Sequence, residues 1–135
     1  MARTATPLTA VDEVRVLSTH EAVGSKLIVA TDPYLPGHYP NQMLYPGVFI
    51  LESVRQTLDA LLGVNGPPVV ATLTQISSMR LFAPLSPGDS LTVLVTCQPA
   101  ECAERAASAR CTKANDGQVA YLNIRFVTTE AEEPR

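Results

Sequence analysis

The chain has 135 residues, enough for one domain with a core and too few for two. Hydrophobic residues make up 46% and charged residues 17%, which excludes a disordered or fibrous chain. A net charge of −3 and few aromatics argue against nucleic-acid binding, although eight of the ten cations are arginine and leave room for a local basic patch.

Residues 1–10 read as a loose tail without the apolar core of a signal peptide. Val11, Val14, Val16 and Leu17 predict a first strand that ends at Ser18-Thr19-His20. His20 is expected to be a solvated turn residue. Gly24 predicts a turn, and Lys26–Ala30 a returning strand. Asp32-Pro33, Pro36-Gly37, Pro40-Asn41 and Pro46-Gly47 then exclude regular structure from one stretch.

A helix is predicted over Val48–Leu62, because Val48, Leu51, Val54, Leu58, Leu61 and Leu62 recur at helical spacing. Phe49 and Ile50 widen its apolar face, so its first turn is expected to be buried nearly all round, and Gly63 suits its end. Val69–Ser77, Ser90–Gln98, Ala103–Lys113 and Gln118–Thr128 predict strands, the third also readable as helix over Ala103–Ala109. Pro87-Gly88-Asp89 and Asn115-Asp116-Gly117 supply turns. Residues 129–135 form an acidic tail.

One helix with five or six hairpin-connected strands is an α+β pattern, most economically an antiparallel sheet wrapped around the helix in one domain over residues 11–128. No run approaches the ~20 apolar residues of a membrane span. Cys97, Cys102 and Cys111 lack metal spacing and read as reduced thiols of a cytoplasmic protein.

Chemistry concentrates between residues 32 and 56. His38 sits in a rigid loop, Gly47 opens the helix, and Glu52 lies in its second turn. Removing water from a β-hydroxyacyl thioester needs a base, an acid and a donor to the carbonyl oxygen. His38 suits the base. A buried Glu52, its pKa raised by desolvation, suits the acid. The N–H groups of Gly47 and Val48 suit the carbonyl, helped by the helix dipole. Residue chemistry alone leaves plainer readings open. His38 fits an ordinary loop residue, and Glu52 fits a solvated stripe with Arg55, Gln56 and Asp59.

The run GHYPNQMLYPGVFILESVRQ resembles the signature of FabZ-type β-hydroxyacyl-acyl-carrier-protein dehydratases, G-H-F-P followed by P-G-V-L-x-x-E-A-x-x-Q. Gly37, His38, Pro40, Pro46, Gly47, Val48, Glu52 and Gln56 match, and Glu52 follows His38 by fourteen positions as in that family. Asp32-Pro33, and later Arg80 with Pro84-Leu85-Ser86-Pro87-Gly88-Asp89, resemble further family segments. The resemblance implies a hot-dog fold and a dehydratase of fatty-acid biosynthesis, while the departures from the family pattern named below point to polyketide or polyene assembly instead. It implies His38 and Glu52 as catalytic residues, Gly47 and Val48 as the carbonyl-binding backbone, and no metal or organic cofactor. Gln56, Arg55 and Tyr39 would support the site.

It implies as partners an acyl carrier protein and a second subunit, with His38 of one subunit facing Glu52 of the other; a homodimer is expected and a heterodimer is the variant of it. Met43, Phe49, Met79 and Phe82 are candidate tunnel residues, and Arg80 and Arg125 candidate carrier-docking residues. The family's N-terminal L-P-H-R-Y-P-F-L-L segment is not matched, Tyr39 replaces Phe, and Arg55 replaces a small apolar residue. Arg55 reaching Glu52 would favour the carboxylate and weaken it as an acid; pointing outward, it would meet the carrier. A hot-dog thioesterase with Glu52 activating water, and a non-catalytic subunit of a dehydratase heterodimer, are the competing functions.

Overall fold

The predicted helical spacing produces a helix, α1, over Gly47–Val64 in a computed structural model that describes residues 10–28, 47–64, 69–99, 103–114 and 117–130. Ile50, Val54, Leu58 and Leu61 form its buried stripe. At about 1.5–3 kcal/mol for each fully buried large side chain, this stripe is the helix's main hold on the sheet. Leu51 and Leu62 are half-buried beside it, and so is Phe49 in the first turn. Gly63 lies inside the last turn, not after it, a difference of the size helix ends commonly show.

Six strands are described: β1 (Glu13–Val16), β2 (Glu21–Leu27), β3 (Val69–Leu81), β4 (Ser90–Cys97), β5 (Arg105–Lys113) and β6 (Gly117–Glu130). They form one antiparallel sheet in the order β1-β2-β4-β5-β6-β3. Along β4, Leu91, Val93, Val95 and Cys97 are buried while the residues between them are more exposed, so one face meets the helix and the other meets solvent. α1 lies against the buried face, touching β1 to β4. One long helix held on an antiparallel sheet is the hot-dog arrangement the residue pattern and the resemblance led to. Residues 105–109, readable as helix, are strand, because Ala107 and Ala109 alternate into the core against Ile124 and Leu122.

The turn expected at Gly24 is not there. Gly24 lies in the middle of β2, paired with Val14 and Val93, and the reversal falls at residues 17–20, where Leu17 N–H donates to the Glu21 carbonyl at 2.8 Å. The glycine serves packing instead. A Cβ at position 24 would collide with Thr57 Oγ1 on α1 and crowd Val11. Gly24→Ala is therefore expected to cost about 1–3 kcal/mol of stability by overpacking, part of it recovered when Thr57→Ala is added. Urea unfolding of the single and double variants measures both.

The Pro87-Gly88 turn is as expected. Asp89 N–H donates to Ser86 O at 2.9 Å, and Gly88 has φ 98°, the type II arrangement. Gly88 N–H and the Asp89 carbonyl also pair with Ile28, which ties this turn to the end of β2. His20 is exposed at the β1–β2 turn. The β3–β6 ladder reaches Glu130, and Ala10 is buried with its N–H on Gln56 Oε1 at 3.0 Å. Among the described residues no helix is long and apolar enough to cross a membrane, and no group of His, Cys, Asp and Glu is arranged to hold a metal ion.

Candidate functional site

The site grows from the start of α1. Gly47 and Val48 are its first residues, so their N–H groups have no partner within the helix. Gly47 stands against β3: a Cβ there would lie 3.3 Å from Leu81 Cδ1 and 3.8 Å from Met79 Cε. Five residues on, about 7.5 Å along the axis at the helical rise, comes Glu52.

Glu52 is held by its own helix. Arg55 Nε donates to its Oε1 at 2.8 Å and Arg55 Nη2 to its Oε2 at 2.6 Å, a two-pronged pair. Gln56 Nε2 donates to Oε2 at 2.9 Å. The remaining prong, Arg55 Nη1, reaches Asp59 Oδ2 at 2.8 Å, and Asp59 Oδ1 accepts the Ala71 N–H of β3 at 2.7 Å. The side chains of Glu52, Arg55 and Asp59 are about a quarter to a third exposed.

This corrects the expectation of a buried Glu52 with a raised pKa. The Arg55 hydrogen bond holds its carboxyl below the usual carboxylate range; partial burial opposes this, and Gln56 and the Arg55 charge add to it. Asp59 is shifted the other way, upward, chiefly by burial. Three side-chain donors on its own helix thus hold Glu52 as a carboxylate. Asp59 shares the face of Glu52 and Arg55, and its position four residues after Arg55 is the sequence signal for the contact.

Of the other expected site residues, His38, Tyr39 and Met43 lie outside the described residues. Phe49 and Met79 are half-buried against the core on the helix side. Phe82 is 51% exposed and lines a cleft of about 410 Å³ with Arg80, Arg110, Tyr121 and Asn123. Arg80 and Arg110 flank Tyr121 in direct cross-strand register. Arg125 is exposed and stands 3.7 Å from Glu104.

Cys97 and Cys111 are free and buried, and Cys102 lies outside the described residues. Burial pushes the Cys111 thiol up to about 12. An alkylating reagent at neutral pH is expected to leave Cys111 unmodified until the protein is unfolded, as site-resolved mass spectrometry will report.

The ApeI-like family model, described as ApeI dehydratase, matches residues 15–121. The FabZ 3-hydroxyacyl-[acyl-carrier-protein] dehydratase of Paramagnetospirillum magneticum is 33% identical over 94 residues, 66% of this chain and 58% of that protein. That of Roseiflexus sp. is 35% identical over 88 residues, 63% of this chain and 62% of that protein. The chain therefore spans about six tenths of the length of these curated relatives. Among solved structures, the dehydratase heterocomplex ApeI:P from Xenorhabdus doucetiae aligns with TM-score 0.71 at 20% identity, covering 91% of this chain and 99% of that one. A hypothetical thioesterase with coenzyme A from Streptococcus pneumoniae aligns with TM-score 0.63 at 12% identity, covering 90% and 93%. At such identities these two likenesses are of fold.

Proposed function

The chain belongs to the ApeI-like dehydratase family, and from that footing we propose that it removes water from a β-hydroxyacyl thioester borne by an acyl carrier protein. The observation that carries this reading is Glu52, fixed as a carboxylate about one turn beyond the N–H groups of Gly47 and Val48, which have no partner within α1. Those N–H groups receive the thioester oxygen as the α-proton leaves and charge collects there. His38 takes that proton. Glu52 accepts a hydrogen bond from the β-hydroxyl and orients the C–O bond for cleavage. The imidazolium of His38 then returns its proton to the departing hydroxyl, so one water leaves and neither side chain is consumed.

The enzyme works as a dimer in this reading, with His38 and Glu52 contributed by different subunits. The FabZ relatives support the carrier-bound substrate, and the heterocomplex of the Xenorhabdus neighbour makes a related second chain the alternative to a homodimer. The product serves fatty-acid assembly, or polyketide or polyene assembly, the departures from the FabZ pattern at Tyr39 and Arg55 favouring a specialised route.

A second reading, thioester hydrolysis, draws on the same ionised Glu52, since a carboxylate activates water. One incubation separates them. With a β-hydroxyacyl carrier thioester, dehydration yields the enoyl thioester with the thioester intact, and hydrolysis yields free carrier thiol. Thiol release without enoyl product would overturn the proposal.

A further inference from the structure

Arg55 does more than neutralise a neighbour. An exposed i,i+3 ion pair leaves both side chains free to swing, and such pairs contribute little. Here each member is braced at its far side. Asp59 fixes the third prong of the Arg55 fork, and Asp59 is in turn bonded to the backbone of β3 at Ala71. Gln56 holds Glu52 through its amide nitrogen while its oxygen accepts the N–H of Ala10, ahead of β1. The carboxylate is thereby tied to two other parts of the fold.

The donors also divide unevenly between its oxygens. Among the described residues, Oε2 accepts two, from Arg55 Nη2 and Gln56 Nε2, whereas Oε1 accepts one, from Arg55 Nε. A carboxylate offers about four acceptor positions, two on each oxygen, so the open position is on Oε1.

Resting on the reading of Glu52 as a reacting group, we propose that Arg55 is a positioning residue: braced by Asp59, it locks Glu52 as a charged carboxylate with one acceptor position, on Oε1, left for the substrate hydroxyl. The charged groups acting on Glu52 among the described residues are Arg55 and Asp59, both on α1. β3 contributes the Ala71 N–H to Asp59, and the chain before β1 contributes the Ala10 N–H to Gln56.

With Arg55 in place its hydrogen bond outweighs desolvation, and Glu52 stays ionised to low pH. Without Arg55, desolvation is left opposed by Gln56 alone, so the midpoint rises.

The test is a carbon-13 carboxyl titration of the full chain, with the Glu52 signal assigned through Glu52→Gln, alongside kcat and KM with a β-hydroxyacyl carrier thioester. The titration needs no substrate. Wild type is expected to titrate below the usual carboxylate range. Arg55→Ala moves the midpoint upward and lowers kcat by about 10²-fold through misplacement of the reacting group, with KM little changed. Arg55→Lys keeps the charge but loses the fork, folds as wild type does, and lies between the two. Asp59→Asn lowers kcat without raising the midpoint, because it removes the brace and not the cation. An unshifted midpoint in both Arg55 variants overturns the clamp and leaves the dehydratase reading intact. A Glu52→Gln variant with the wild-type rate overturns both.

Discussion

Glu52→Gln and His38→Ala are each expected to lower the dehydration rate by about 10²–10⁴-fold, the first by losing the carboxylate that orients the leaving hydroxyl and the second by losing the positioned proton-transfer group. Glutamine nearly preserves the shape of Glu52 but removes its charge. It also turns one oxygen into an NH₂ group facing the donors now on that carboxylate, Arg55 Nη2 and Gln56 Nε2 or Arg55 Nε. The substituted side chain must therefore rotate away from the substrate hydroxyl or leave donors unpaired. His38→Ala removes the group that carries the α-proton to the leaving oxygen, and nothing else in the proposed scheme replaces it. The two variants also separate the competing chemistries. Under hydrolysis, Glu52→Gln abolishes thiol release while His38→Ala retains it. Under dehydration both lose enoyl formation. Single-turnover kinetics with a carrier-bound substrate reads these outcomes without interference from product release.

The largest effect on stability is expected at Phe126. Its side chain is fully buried on the helix-facing side of β6, beside Ile124 and Leu122. The guanidinium carbon of Arg105 stands 5.6 Å from its ring centroid, and Arg105 Nε is buried without a hydrogen-bond partner among the described residues. Phe126→Ala removes a whole ring from the core and the aromatic face under that cation. The expected loss is about 3–5 kcal/mol, a large share of the roughly 5–15 kcal/mol that holds a domain together. Phe126→Leu keeps most of the volume and should lose much less. Urea unfolding of the three proteins checks the order. A Phe126→Ala loss under about 1 kcal/mol would show that the sheet and helix close over the cavity, contrary to a rigidly packed core.

The parts of the fold legible in the sequence are those where one physical signal dominates. The stripe through Val54, Leu58 and Leu61 can serve only a helix, and the alternation through Leu91, Val93 and Val95 only a half-buried strand. Pro87-Gly88 fits a type II turn, and it forms one. Gly24 does not mark a turn because glycine has two uses. It breaks strands in general, but here it lets Thr57 of α1 approach β2, and that pairing is invisible until the helix and strand are brought together. The register shifts in β3 between Leu73 and Gln75 and between Ile76 and Ser78 have no local signal either.

At the site, the helical face of Glu52, Arg55, Gln56 and Asp59 was legible from spacing. The charge state of Glu52 was not, because desolvation and an ion pair push it in opposite directions, and only the two-pronged geometry of Arg55 decides between them. The proposed pairing of His38 with Glu52 rests on family resemblance, since neither residue stands out by chemistry alone.

The most direct test of the proposed reaction runs it backwards. The protein is given an enoyl carrier thioester in heavy water, and the product is examined by mass spectrometry and NMR. The account predicts one deuterium at the α-carbon and a hydroxyl at the β-carbon, with the thioester intact, and no such product from Glu52→Gln. Free acid and carrier thiol in place of the hydrated thioester, or hydration at the wild-type rate by Glu52→Gln, would contradict it.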